Sequence, residues 1–174
     1  MLLPLPDRTP PRVWHLYEKG VAGFYKFHLG RNDWHVNAGQ KIKWQVDAKT
    51  TLIDEILPSM VMDIVLENSN PDQRIVIDTK FTSILEKGWH RDKTLHSGHI
   101  FQLYSYLRSQ ERDDDPRSQN ADGILLYPSI NLMADETVII QGHMIRFATI
   151  DLTESALEIR AQLMRMIETP VGLA

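Results

Sequence analysis

The chain has 174 residues, 43% of them hydrophobic and 24% charged, with no cysteine and a formal net charge of −4. This balance fits one globular domain with a sizeable core; it excludes disulfides and cysteine-based zinc sites and argues against binding nucleic acid through overall charge alone. No apolar run approaches the roughly 18 residues of a membrane span, and Met1-Leu2-Leu3-Pro4-Leu5-Pro6 lacks the regions of a signal peptide, so the expectation is a cytoplasmic protein with no membrane partner.

Residues 1–12 hold four of the nine prolines and read as an extended lead-in, with Pro10 and Pro11 suited to a first helical turn. Val13, Trp14, Tyr17, Val21, Phe24 and Tyr25 then recur at spacings of three and four, which predicts an amphipathic helix to Leu29 closed by Gly30. Glu18 borders its apolar face. Trp34 to Ala38 and Ile42 to Val46, split by Gly39-Gln40-Lys41, read as a hairpin, and Thr50 to Leu57 as a loop crossing the sheet. Met60 to Leu66 and Arg74 to Phe81 are strands apolar on both faces, which predicts central positions.

A polar connection leads to a helix over Leu95 to Gln110, on which His99, Gln102 and Tyr106 share one face. The acidic run from Glu111 to Pro116 reads as a solvated loop. Gly123 to Tyr127, Thr137 to Gln141 and Ile145 to Ile150 read as strands, and Thr153 as the cap of a closing helix to about Ile167. The fold class expected is α/β, a mixed sheet flanked by helices, with an acidic hairpin near its centre.

That hairpin carries the chemistry. Asp63 and Asp78 stand inside β-branched apolar runs, where an unpaired charge is costly. The turn formers from Asn68 to Gln73 set a register in which facing residue numbers sum to 141, and this places Asp63 opposite Asp78. Carboxylates with Cβ atoms roughly 4.5 to 5.5 Å apart repel unless a cation bridges them. Lys80 shares the face of Asp78 because strand side chains alternate. Such a set suits Mg2+, with Mn2+ as an alternative. Magnesium takes hard oxygen ligands, commonly one or two carboxylates, and the Thr79 backbone carbonyl is a further candidate. The plainer reading is an ion pair between Asp78 and Lys80, with Asp63 a strand-end residue.

Glu18 in Leu16-Tyr17-Glu18-Lys19, Asp63 in Met60-Val61-Met62-Asp63-Ile64-Val65-Leu66, Asp78-Thr79-Lys80, and Gln102-Leu103-Tyr104-Ser105-Tyr106 together resemble the PD-(D/E)XK nuclease superfamily. More narrowly, they are similar to the C-terminal nuclease domain of McrC, the cleavage subunit of the McrBC modification-dependent restriction system. Ile77 to Phe81, Leu95-His96-Ser97 and Leu125-Leu126-Tyr127-Pro128 add to the likeness, which spans about residues 13–167 and leaves 168–174 as a tail. Met62 stands where the superfamily often has a proline before its first aspartate.

The resemblance implies a restriction-endonuclease-like fold and Mg2+-dependent cleavage of DNA carrying modified cytosine, in a complex with the AAA+ GTPase subunit McrB. It makes Asp63, Asp78 and Thr79 metal ligands, Lys80 the catalytic lysine, Glu18 an assisting acid and Gln102 an auxiliary residue. In full McrC proteins a region preceding the nuclease helix engages the McrB ring. The alternative is a non-catalytic nuclease-fold module serving assembly or DNA binding. Two lesser readings attach to Lys87–His99: a local basic patch, and a histidine metal site from His90, His96 and His99, whose spacing fits no zinc pattern.

Overall fold

A computed structural model describes residues 10–30, 33–69, 72–88, 92–130 and 132–170. A long helix, α1 (Pro10–Leu29), precedes the strand β1 (Trp34–Ile42), a single helical turn α2 (Ile53–Ile56), and the hairpin strands β2 (Met60–Ser69) and β3 (Asp72–Thr79). The short strands β4 (Leu85–Glu86) and β5 (Thr94–Leu95) pair with each other before α3 (Ser97–Ser109) and α4 (Pro116–Gln119). The chain closes with β6 (Asp122–Pro128), β7 (Asp135–Ile140), β8 (His143–Ile150) and α5 (Ala156–Met166).

Six strands form one mixed sheet in the order β1-β2-β3-β6-β8-β7. The hairpin and β7–β8 pair antiparallel, whereas β3–β6 and β6–β8 pair parallel, so the chain must cross over a sheet face between them. The expected α/β architecture is therefore observed, and it is consistent with a restriction-endonuclease-like fold. Each face has its own core. On one, Ile64, Leu66, Ile75, Ile77, Ile124 and Leu126 pack under Tyr17, Val21 and Tyr25 of α1 and Leu163 of α5; on the other, Val65, Val76 and Leu125 meet Leu103 and Leu107 of α3. Burial on both faces explains the continuous apolar runs of β2 and β3. Gly123 lets α3 approach closely: a Cβ there would stand 2.8 Å from Leu103 Cδ2.

Several sequence expectations are corrected. The pair of strands expected over 34–46 is one strand, because Gly39 takes a positive φ of 65° without turning the chain and β1 pairs with β2 on both sides of it. Residues 43–46 are exposed and stay outside the sheet, with Trp44 donating to Pro58 O at 2.9 Å and Gln45 to Ser109 O at 2.8 Å. The segment 50–57 contains α2, and the polar connection before α3 contains β4 and β5. Ser155, not Thr153, caps α5: Ser155 Oγ accepts from Glu158 N at 3.2 Å, while Thr153 donates twice to Asp151 Oδ1 and holds the preceding turn. The acidic run is more ordered than a solvated loop, with a bridge from Arg112 to Asp115 and then α4. Among the described residues, no helix is long and apolar enough to cross a membrane.

Candidate active site

The predicted register holds: Ile64 faces Ile77 and Ser69 faces Asp72, each pair summing to 141, while the turn residues Asn70 and Pro71 lie outside the described residues. The ladder stops at Ile64 and Ile77, one pair short of Asp63 and Asp78. There Asp63 Oδ2 accepts from both the backbone N–H and the hydroxyl of Thr79, each at 2.8 Å, in place of the next strand bond. The alternation of β2 also slips at this point. Met62 and Val65 lie in the same core cluster although they are an odd number of residues apart, and Gly39 stands across from Asp63 where the β1–β2 pairing skips a position. The glycine's positive φ and the slipped strand meet at the candidate site.

Asp78 is 2% exposed. Lys80 Nζ lies 2.7 Å from its Oδ2 in a buried ion pair, and the same ammonium donates to Gln102 Oε1 at 2.8 Å. Burial pushes the Asp78 carboxyl up to about 6; Lys80 pulls it back and the neighbouring Asp63 carboxylate pushes it further. Gln102 is fixed at its other end, where its amide donates to the Tyr106 hydroxyl at 2.6 Å. The Lys80 backbone N–H donates to Leu126 O at 2.9 Å, which anchors the lysine just past the end of β3.

Glu18 approaches from α1. Its carboxyl is raised by partial burial and by the Asp63 charge, opposed by His15, whose Nδ1 lies 3.6 Å away. Trp14, one turn earlier, donates from Nε1 to Thr79 O across 3.4 Å, a long bond to the carbonyl expected to serve as a ligand. All five expected site residues, Glu18, Asp63, Asp78, Lys80 and Gln102, thus meet at one end of the hairpin. Trp14, the Thr79 side chain and Tyr106 also belong to the locality. Tyr106 stood on the expected helix stripe; Thr79 was expected only through its backbone carbonyl, and its hydroxyl donates to Asp63 where the ladder breaks.

A family model described as McrBC 5-methylcytosine restriction system component matches residues 12–128, more than half the chain. The chain belongs to this McrBC family. The match contains every expected site residue and ends at the last residue of β6. The chain is also 25% identical over 147 residues to the type IV methyl-directed restriction enzyme EcoKMcrBC of Escherichia coli strain K12, a match covering 84% of this chain and 40% of that relative. It therefore spans about two fifths of the relative's length.

The other sequence candidates of this McrBC family member fare differently. His90 and Arg91 lie outside the described residues, and Lys87 and Lys93 are exposed. His96 and His99 stack on each other with ring centroids 4.6 Å apart. Asp114 pairs with Arg112, and Asp115 with Arg74. Among the described residues no three His, Asp or Glu side chains converge as a ready metal-ligand group. Any ion at the hairpin would rest on the two aspartates together with backbone oxygen and water, a set that suits magnesium.

Proposed function

We propose that this chain is a Mg2+-dependent DNA endonuclease module of a McrBC-type restriction complex, with a PD-(D/E)XK centre at the open end of the β2–β3 hairpin. The observation that carries the reading is Asp78: a carboxylate only 2% exposed, held beside a second carboxylate, Asp63, with the Lys80 ammonium 2.7 Å away. Two carboxylates pressed together in a buried place repel unless a cation sits between them. The donor set fits a hard divalent cation. Asp63, Asp78 and the Thr79 carbonyl would hold Mg2+, or Mn2+ in its place. When bound, the ion supplies the positive charge that a phosphodiester under attack by water requires.

The protein's own groups do the rest. Gln102 accepts from the Lys80 ammonium and so fixes where its remaining protons point. A phosphate oxygen or an attacking water brought to that ammonium meets an oriented donor. Tyr106 fixes the orientation of the Gln102 amide by accepting from its nitrogen. Thr79 holds Asp63 through two bonds, which keeps that carboxylate from swinging towards Asp78. Glu18, partly exposed at the rim, is placed to accept a proton from water entering beside Asp63.

Methylated DNA and a McrB-like AAA+ GTPase subunit are the partners this reading names, supported by family membership and by the curated relative's printed description as methyl-directed. The test incubates duplex DNA, with and without 5-methylcytosine, with this chain and Mg2+, in the presence and absence of that subunit and GTP. Cleavage of the methylated duplex is expected in the complete mixture. Absence of cleavage in every mixture, together with no rise in melting temperature on adding Mg2+ or Mn2+, would replace this reading with a non-catalytic module.

A further inference from the structure

We infer that His99 is a further DNA-contact residue of this site, its ring fixed by Tyr127 so that Nε2–H is offered as a neutral donor to a backbone phosphate. The inference rests on the reading of the site as one that acts on DNA. His99 lies on α3 three residues before Gln102, so the two occupy one helix face, and it feels the charge of Lys80.

The tautomer follows from burial. His99 Nδ1 lies 3.0 Å from the hydroxyl of Tyr127, a β6 residue that is fully buried. That hydroxyl proton has one acceptor among the described residues, the imidazole nitrogen itself. If Nδ1 carried the proton and donated, the hydroxyl proton would be sealed in the core without an acceptor, which buried polar groups rarely are. Tyr127 therefore donates, Nδ1 accepts, and the ring proton sits on Nε2. Nε2 has no hydrogen bond to a described residue and is not among the buried atoms left without one, so it is open to an incoming group.

The surroundings select what that group is. His96 stacks on His99 at an interplanar angle of 25° and is itself held, with Nε2 2.8 Å from Ser83 O and Nδ1 3.2 Å from Glu86. Burial, Lys80 and His96 hold the His99 pKa down at about 4 against the pull of Glu86, so the ring is uncharged at neutral pH. A fixed N–H without a charge, next to an ammonium, suits an anionic oxygen that Lys80 already attracts. A phosphate flanking the one being cleaved has that chemistry.

Two measurements on the whole chain test this. In steady-state cleavage of a methylated duplex with the GTPase subunit present, His99→Ala should raise KM about tenfold, the size of one lost hydrogen bond to an anion, with kcat within about twofold. His99→Gln, which returns an N–H near the position of Nε2, should recover most of the loss. In long-range 1H–15N spectra the His99 proton should appear on Nε2 and shift when duplex DNA is added. The inference is overturned by a loss confined to kcat, by equal losses in the Ala and Gln variants at unchanged melting temperature, by a proton on Nδ1, or by a resonance that stays in place at saturating DNA. The spectra need no turnover, so an inactive wild-type chain would count against the nuclease reading while leaving this one decidable.

Discussion

The β2–β3 hairpin carries charge at both ends, and the two ends are built on opposite plans. Near the turn, Arg74 donates from Nε to its cross-strand neighbour Glu67 at 2.8 Å and from Nη2 to Asp115 at 2.8 Å, while Arg117 stands 3.2 Å from Asp72 and 3.7 Å from Asp115. Two guanidiniums and three carboxylates satisfy one another there. At the open end, buried Asp78 has one ammonium, that of Lys80, and a second carboxylate, Asp63, beside it, while Glu18 feels the Asp63 charge, opposed by His15 and Lys19. Carboxylates that each have a guanidinium beside them read as structure; a buried carboxylate set against a second carboxylate, with one lysine between strand and helix, reads as a site suited to a further cation.

The comparison breaks most visibly by truncating each end in turn. Asp78→Ala or Lys80→Ala should lower Mg2+-dependent cleavage by about 10³-fold or more while leaving the fold intact, since each removes charge placed at the reacting phosphate. Arg74→Met should do the reverse. It leaves Glu67 and Asp115 desolvated without a partner, a loss of about 1–3 kcal/mol in urea unfolding, with cleavage per folded molecule unchanged. Cleavage that survives both open-end variants, or that collapses in Arg74→Met at temperatures where it is folded, would erase the distinction.

A pH titration of stability separates the ends without any substrate. An unfolded Asp titrates near 3.9, whereas burial holds Asp78 up to about 6 in the folded chain. Below about pH 4 both states are protonated and the carboxyl costs nothing. As pH rises from 4 to 6 the unfolded chain ionises first, so Asp78 makes stability fall through this window, and the loss then persists at neutral pH, on the order of 3 kcal/mol. His99, whose pKa is held down at about 4, makes stability rise over much of the same range, so the Asp78 decline is read in EDTA as the difference in urea midpoint between the wild type and Asp78→Asn. The charges facing Asp78 are those of Lys80 and Asp63, and the latter sharpens the effect. Added Mg2+ should flatten this decline, because a bound cation favours the ionised form. A wild type that gains stability relative to Asp78→Asn between pH 4 and 6 would contradict the geometry.

Much of this was legible in the sequence, and the rest was hidden for identifiable reasons. The hairpin register was readable because Asn68 to Gln73 is dense in turn formers and both flanking runs are apolar, so one pairing buries everything. The helix acid and the α3 stripe were readable from periodicity. The expected strands over 34–46 failed because Gly39 looks like a turn residue, while the structure uses its positive φ inside a continuous strand opposite Asp63. Thr153 looked like a cap because its side chain suits one, but Asp151 captured it and Ser155 took the role. Tyr127 was legible only as part of a strand, since the partner of its hydroxyl lies 28 positions earlier on a helix. Pairings set by packing across the sheet leave no local trace.

The smallest expected effect is the most informative about how the open end is assembled. Gln102 touches neither aspartate; it holds Lys80 from one side and is held by Tyr106 on the other. Removing it leaves every charge in place and frees only the direction of the ammonium. Gln102→Ala should therefore slow single-turnover cleavage about tenfold, about 1.4 kcal/mol, with little change in the Mg2+ concentration needed for half-maximal rate. Tyr106→Phe should lower the rate by less, because the amide loses one anchor while Oε1 still accepts from Lys80. If Gln102→Ala instead shifted the Mg2+ requirement with the saturated rate unchanged, Gln102 would act on the carboxylates rather than through the lysine. The open end would then differ from the turn end in its metal affinity alone, and not in the orientation of its single cation.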